Sequence, residues 1–301
     1  MTYMYYIDYQ KKDNKCWYKQ IYNELFLRFK IIKFDSNKSL VLINKKNINK
    51  RACSKLNRIL CADGKSSCNK ILVSNKVIVN GLLENEFISC KKNTMKSMIL
   101  KILEYIEQCT RADYRNEDIY ISICDDVDIN FILDIAEKFK SINIVTSKIK
   151  KIKRLISRLE ENYELNLAVS NNRRKALKKA KILINIGFSA NVIEEFSLNR
   201  NCTIINLSEN KLILKNSFHG SIIESIEFNY RNRYSKFINM QNFDKHHLYE
   251  SFMDNYNYCE AKQHIIEDKC CIERLRGNKN MILNDELRNN FTKNSIKLDK
   301  M

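Results

Sequence analysis

Three aspartates stand together near the middle of the chain, in the segment SICDDVDIN at residues 122–130. The isoleucine-rich run before them predicts a β-strand, and the residues after them repeat apolar side chains at helical spacing. Carboxylates between a strand and a helix can cap the helix and interact favourably with its dipole, or they can bind a cation. We favour capping, because a metal site needs convergent ligands that this segment alone does not supply.

Two other groupings contain residue types that do chemistry in proteins. The segment CADGKSS at residues 61–67 ends like a phosphate-binding loop, but its leading glycine position is Ile59 and it follows a predicted helix, so we interpret Gly64 as a helix C-cap. The second grouping has metal-capable side chains without the common zinc spacings: His246, His247, Cys259, His264, Cys270 and Cys271. We therefore predict no metal ligand, and we name no catalytic nucleophile or general base.

The net charge raises the question of a polyanionic partner. The 301 residues carry a formal charge of +18, which is typical of nucleic-acid-binding proteins. However, the chain has no proline and five glycines and is rich in lysine, as an A/T-biased coding sequence would make it. Twelve basic and three acidic residues fall between 148 and 181, where Tyr163 is the only aromatic residue and the predicted helices cover opposite faces of a sheet. Nucleic acid is therefore a lesser alternative.

The cysteines and the lengths of the apolar runs indicate where in the cell the protein is located. The eleven cysteines include no C-x-x-C pair, and no secretory signal is apparent. No apolar run reaches the length of a membrane span. We expect reduced, partly buried thiols in a cytoplasmic protein without membrane contact.

The elements before residue 118 are read from periodicity. Residues 31–45 predict a β-hairpin, residues 51–61 a helix, and residues 70–79 a further strand pair. One long amphipathic helix is predicted from Asn93, which we expect to cap it. Its apolar stripe consists of Met95, Met98, Ile99, Ile102 and Ile106.

The next hundred residues alternate strand and helix. The predicted strands are 118–124, 142–146, 165–169, 181–187 and 202–208. Each is an almost continuous apolar run, which is typical of parallel strands covered on both faces. We predict helices between them, including a short one over 172–180, and strand order 3-2-1-4-5. Residues 211–230 favour a hairpin.

The fold class is thus α/β, with a doubly wound parallel, Rossmann-like sheet. We divide the chain into an N-terminal α/β region at 1–92, the Rossmann-like domain with its leading helix at 93–210, and a partly helical region at 211–301.

This order of elements resembles the NAD(P)-binding domain of the shikimate dehydrogenase and glutamyl-tRNA reductase type, over about residues 94–208. The resemblance implies a dinucleotide in the crevice beside the first strand. Its glycine motif would fall on Cys124, Asp126 and Ile129, all of which are substituted. Were a cofactor bound, the resemblance implies NADP, held by Cys124, Asp126, Thr146, Ser147, Lys148 and Gly187. Thr146 to Lys148 suit a 2′-phosphate, since they lack the acidic residue that an NAD ribose would need.

Three hypotheses about function follow, in this order. The first is a Rossmann-like protein without a cofactor that serves as an interaction or regulatory module, with a protein partner not yet identified. The second is an NADP-dependent oxidoreductase with an aberrant glycine turn. The third is a basic protein associated with nucleic acid.

Overall fold

The structure is a computed structural model that describes residues 3–10, 27–63, 69–80, 91–125, 127–163, 165, 167–231, 233–253, 256–278 and 280–296. The chain divides into two units. The first unit consists of Met1–Lys91 and Asn232–Tyr256, and the second consists of Lys92–Arg231 and Asn257–Met301.

A four-stranded sheet forms the centre of the first unit. Its strands are β1 (Tyr3–Tyr9), β2 (Phe29–Asp35), β3 (Lys38–Ile43) and β5 (Asn69–Val73), in the order β2-β3-β1-β5. Strand β1 is parallel to both neighbours, and β2 and β3 form the predicted antiparallel hairpin. The strand pair predicted over 70–79 is wrong in its pairing, because β6 (Ile78–Asn80) pairs with β4 (Asn47–Asn49) instead of β5.

The two faces of this sheet are covered by distant parts of the sequence. Helix α1 (Lys50–Asp63) confirms the predicted helix, and its Leu56 and Leu60 pack with Tyr5 and Ile7 of β1. On the opposite face Tyr6 contacts Phe243 and Phe252. These residues belong to the returning segment, which contains a short 3-10 helix (Met240–Asn242) and helix α7 (Lys245–Met253).

The second unit contains a six-stranded sheet whose strands are all parallel. The strands are β7 (Asp118–Ser122), β8 (Ser141–Val145), β9 (Leu167–Ser170), β10 (Ile182–Asn185), β11 (Thr203–Asn206) and β12 (Ile222–Ile223). Their order is β12-β11-β10-β7-β8-β9, which is 3-2-1-4-5-6 when read from β9. The α/β fold with a doubly wound, Rossmann-like sheet is therefore confirmed, and the sheet has a sixth strand that the sequence analysis did not predict.

The second unit also contains helices. They are α2 (Lys91–Ser97), α3 (Ile99–Thr110), α4 (Ile129–Ala136), α5 (Ile149–Tyr163), α6 (Ala190–Glu195), α8 (Tyr258–Glu267) and α9 (Asn284–Ile296). The apolar stripe predicted from Met95 to Ile106 is buried. The single long helix is wrong, because the chain leaves helical geometry at Met98. Asn93 lies inside α2, where its carbonyl accepts a hydrogen bond from the Ser97 hydroxyl at 3.0 Å, a contact that bends helices.

Two further predictions are wrong for tertiary reasons. Residues 172–180 form turns instead of a helix, because the amide of Leu177 donates to the Phe196 carbonyl and its own carbonyl accepts from Asn199. Residues 211–230 do not form a hairpin. Strand β12 joins β11 in parallel, whereas β13 (Ser225–Asn229) pairs with β14 (Cys271–Arg276). The proposed C-cap Gly64 lies outside the described residues. None of the described helices has the length and apolar composition to cross a membrane.

Candidate functional site at the carboxyl edge of the six-stranded sheet

A row of polar side chains ends three adjacent strands of the second unit. Ser122, Asn185 and Asn206 are the last residues of β7, β10 and β11, and they pair at the same register. Ligands of doubly wound sheets bind outside this edge, near the strand where the order reverses. All three residues are fully buried, so their polar atoms need partners within the protein.

The Asn185 side chain holds the row together. Its Oδ1 accepts from the Ser122 hydroxyl at 2.7 Å and from the Phe188 amide at 2.9 Å. Its Nδ2 donates to the Phe188 carbonyl at 2.9 Å and to Asn206 Oδ1 at 2.8 Å. The amide group of Asn185 therefore has no hydrogen-bonding capacity left for a ligand.

An ion pair completes the row beyond β11. Asn206 Nδ2 donates to both carboxylate oxygens of Glu224, at 3.0 and 2.9 Å. The Lys92 ammonium lies 2.8 Å from Glu224 Oε2 and also donates to the carbonyls of Asn206 and Glu224. These three contacts match the three donors of an ammonium group, so Lys92 is satisfied in place. We interpret the row and its ion pair as a structural element that fixes this edge.

The turn after β7 contains Cys124, the first of the substituted glycine positions. The Cys124 Sγ lies 3.3 Å from the Gly187 carbonyl oxygen, on the loop after β10. A Cβ atom at position 187 would lie 3.1 Å from the Cys124 Cβ, so glycine there gives the cysteine its space. Burial raises the pKa of the Cys124 thiol, and the neighbouring Asp125 carboxylate raises it further. The thiol therefore stays protonated and is a poor nucleophile.

Asp125 and Asp128 of the same turn have separate partners. Asp128 is the N-cap of α4, and its Oδ1 accepts from the Asn130 amide at 2.9 Å. Asp125 forms an exposed ion pair with Lys151 at 2.9 Å, and the hydrogen bond from Lys151 lowers the pKa of this carboxyl. Capping is thus the role that the structure gives Asp128. Asp126, the second glycine position, lies outside the described residues.

The proposed 2′-phosphate residues follow β8. Thr146 is buried, and its hydroxyl accepts from the Lys148 amide at 3.1 Å. Ser147 and Lys148 are exposed at the carboxyl end of that strand. The NADP assignment of Thr146, Ser147, Lys148, Cys124 and Gly187 stays a prediction.

The sequence analysis grouped six histidine and cysteine side chains that could bind a metal. In the described part of the chain, no group of three or more His, Cys, Asp or Glu side chains is placed to hold a metal ion. The cysteines whose side chains the structure describes are free thiols: Cys53, Cys109, Cys124, Cys202, Cys259, Cys270 and Cys271.

The sequence analysis missed the polar row. One signal was available, because β7, β10 and β11 read DIYIS, ILIN and TIIN, so each apolar strand ends in a small polar residue. Parallel strands bring their carboxyl ends to one edge, and the three residues could have been grouped on that ground. No comparable signal marks Glu224 or Lys92.

Comparisons with known proteins add little. No family model and no curated protein matches the sequence. Among solved structures, L-tryptophan dehydrogenase from Nostoc punctiforme aligns with a TM-score of 0.33 and 8% identity, over 99% of this chain and 89% of that one. Ornithine carbamoyltransferase from Pyrococcus furiosus aligns with a TM-score of 0.31 and 9% identity, over 88% and 84% of the two chains. Such low scores carry no argument, and the Rossmann-like assignment rests on the strand order.

Proposed function

We propose that the second unit is a Rossmann-like module without a dinucleotide, and that it serves an interaction or regulatory role instead of redox catalysis. The observation that carries this proposal is the contact between Cys124 and Gly187. A pyrophosphate would need the backbone exposed between the turns after β7 and β10, and the cysteine side chain occupies that position.

The start of α4 supports the same proposal. A dinucleotide-binding helix offers its free amides and its positive dipole end to the pyrophosphate. Here the Asp128 carboxylate already accepts from an amide of the first turn. A bound phosphate would have to displace that hydrogen bond and would meet a like charge.

The first experiment is a thermal-shift titration with NADPH, NADP and NADH, confirmed by calorimetry. A ligand at about a hundred times its dissociation constant stabilises the folded state by roughly 2.7 kcal/mol, which is readily detected. We expect no shift at millimolar dinucleotide. A saturable shift with any of the three ligands would overturn the proposal.

A second experiment addresses the interaction role. Proteins that copurify with the tagged chain are purified singly and titrated against it. We expect at least one to rebind saturably, with no change in affinity when NADPH is added. If no candidate rebinds and the chain turns over a substrate with NADPH, the module is an enzyme and the proposal fails.

An NADP-dependent oxidoreductase is the second candidate. It is favoured by Ser147 and Lys148, which are exposed where a 2′-phosphate would lie. This function predicts that Lys148→Glu weakens NADPH binding about tenfold or more, since it replaces attraction by repulsion. Lys150→Glu is the matched control on the exposed side of α5. Equal affinities for both variants and the parent would count against it.

A further inference from the structure

A cavity of about 490 Å³ lies in the second unit beside the edge strand β12. We call it the β12 groove. Its lining comes from the segment 211–222, from residues 277, 278 and 280–282, and from the first turn of α9, where Glu286 lies. The volume is within the range of small-molecule sites in proteins.

Two hydrogen bonds between side chains hold the lining residues Ser221 and Glu286 in place. Ser221 is 2% exposed, and its hydroxyl donates to Glu286 Oε1 at 2.8 Å. The buried Asn290 donates to the Ser221 hydroxyl at 2.9 Å. These contacts fix the Glu286 carboxylate at the groove through one of its two oxygens.

Two glycines shape the groove. A Cβ atom at Gly220 would lie 2.0 Å from the Cys202 carbonyl oxygen, and one at Gly277 would lie 3.2 Å from the Ile222 carbonyl oxygen. Only glycine therefore fits at position 220, and the chain there approaches β11 closely.

The charged and apolar side chains of the groove are open to a ligand. In the part of the chain that the structure describes, neither Lys211 nor Glu286 is in an ion pair. Asn278 donates to the Leu212 carbonyl, but its Oδ1 is buried without a hydrogen-bond partner. Ile213 is 74% exposed and Met281 is 45% exposed. A cation and an anion outside any ion pair of the described residues, together with exposed apolar side chains, thus line one cavity.

We propose that the β12 groove binds a small zwitterion with an apolar side chain, the chemistry of a free apolar amino acid or a short apolar peptide. The ligand's ammonium group binds Glu286, and its carboxylate binds Lys211. The apolar side chain packs against Ile213, Phe218 and Met281, which line the cavity. This inference does not depend on whether the unit binds a dinucleotide, because the groove shares no residue with the turn at Cys124.

The test is calorimetry of the full chain with four probes. Leucine and phenylalanine represent free amino acids, leucyl-leucine represents a peptide, and N-acetyl-leucine amide retains the side chain but neither charge. We expect saturable binding of the charged probes and none of the neutral one. The tighter of the leucine and leucyl-leucine titrations identifies the source of the ligand.

Variants then locate the site. Glu286→Gln and Lys211→Gln should each weaken binding about tenfold or more, as the loss of a charged hydrogen bond does. Lys179→Gln and Glu161→Gln, exposed residues of the same unit outside the groove, should leave it unchanged. Thermal unfolding of every variant shows that the fold is retained. Failure of all charged probes to bind at millimolar concentration overturns the proposal, and so does binding that the two groove variants leave unchanged.

Discussion

Two polar regions of the second unit differ in how completely their hydrogen-bonding groups are used. In the row from Ser122 to Lys92, the Asn185 amide and the Lys92 ammonium have all their hydrogen bonds within the protein. In the β12 groove, Lys211 and Glu286 lack ion-pair partners among the described residues, and Asn278 Oδ1 is unpaired.

This difference separates a structural region from a binding region. A buried polar group without a partner costs free energy, so an internally satisfied network stabilises the fold and has little to offer a ligand. Charges without an ion-pair partner beside a cavity contribute little to the fold and can bind a ligand. The location that a Rossmann-like fold normally gives its ligand is here the structural region, and the groove at the edge strand has the open groups.

The largest expected change in stability comes from breaking the ion pair of the row. Lys92→Met leaves the Glu224 carboxylate, 10% exposed, without its cation. We expect a loss of about 3 kcal/mol in the free energy of unfolding, measured by denaturant titration. The double variant Lys92→Met with Glu224→Leu should recover part of the loss, because no unpaired charge remains. A single-variant loss below about 1 kcal/mol would contradict the structural role.

The next effect concerns the centre of the row. Asn185→Ala removes four hydrogen bonds and leaves the Ser122 hydroxyl and the Phe188 amide without this partner. We expect a loss of about 2 kcal/mol by the same measurement. Ser122→Ala is the milder comparison at about 1 kcal/mol, since Asn185 Oδ1 still accepts from Phe188. Equal losses for the two variants would mean that Asn185 does not organise the row.

A smaller effect is expected at the cap of α4. Asp128→Ala removes the acceptor of the Asn130 amide and should cost about 1 kcal/mol, seen as a lower thermal midpoint. Asp128→Asn retains a capping oxygen without the charge and should cost only a few tenths of that value. If both variants lower the midpoint equally, the charge matters at this position and the cap does not.

The smallest expected change in stability comes from substitutions in the β12 groove. Lys211→Gln and Glu286→Gln should each change the free energy of unfolding by less than about 1 kcal/mol, since neither charge has a paired partner in the described structure. The measurement is denaturant titration without any added ligand. A loss as large as that of Lys92→Met would place these residues in the structural class and remove the distinction between the two regions.

Much of the fold could be predicted from the sequence. Apolar runs such as ILIN and TIIN report burial on both faces of a sheet, and amphipathic stretches such as residues 149–163 report helices with one buried face. Right-handed crossovers then restrict the strand order, so the Rossmann-like arrangement follows. The aspartates after β7 also indicated a helix cap, and Asp128 has that role.

Two of the wrong predictions share a physical cause. Residues 172–180 have the composition of a helix, but the backbone of Leu177 is hydrogen-bonded to Phe196 and Asn199, which follow α6. The hairpin over 211–230 has two suitable runs, but they join different sheets. Local propensity is weak compared with the burial and hydrogen bonding that tertiary contacts supply.

The sequence by itself determined the alternation of strands and helices and the loss of the glycine turn, because both depend on residue types at short spacing. Only the tertiary structure decided which polar groups meet. The Lys92 ammonium donates to the carbonyls of Asn206 and Glu224, which are 114 and 132 positions further along the chain. The segment 232–256 returns to the first unit. Contacts over such separations depend on the packing of whole elements and leave no local period in the sequence.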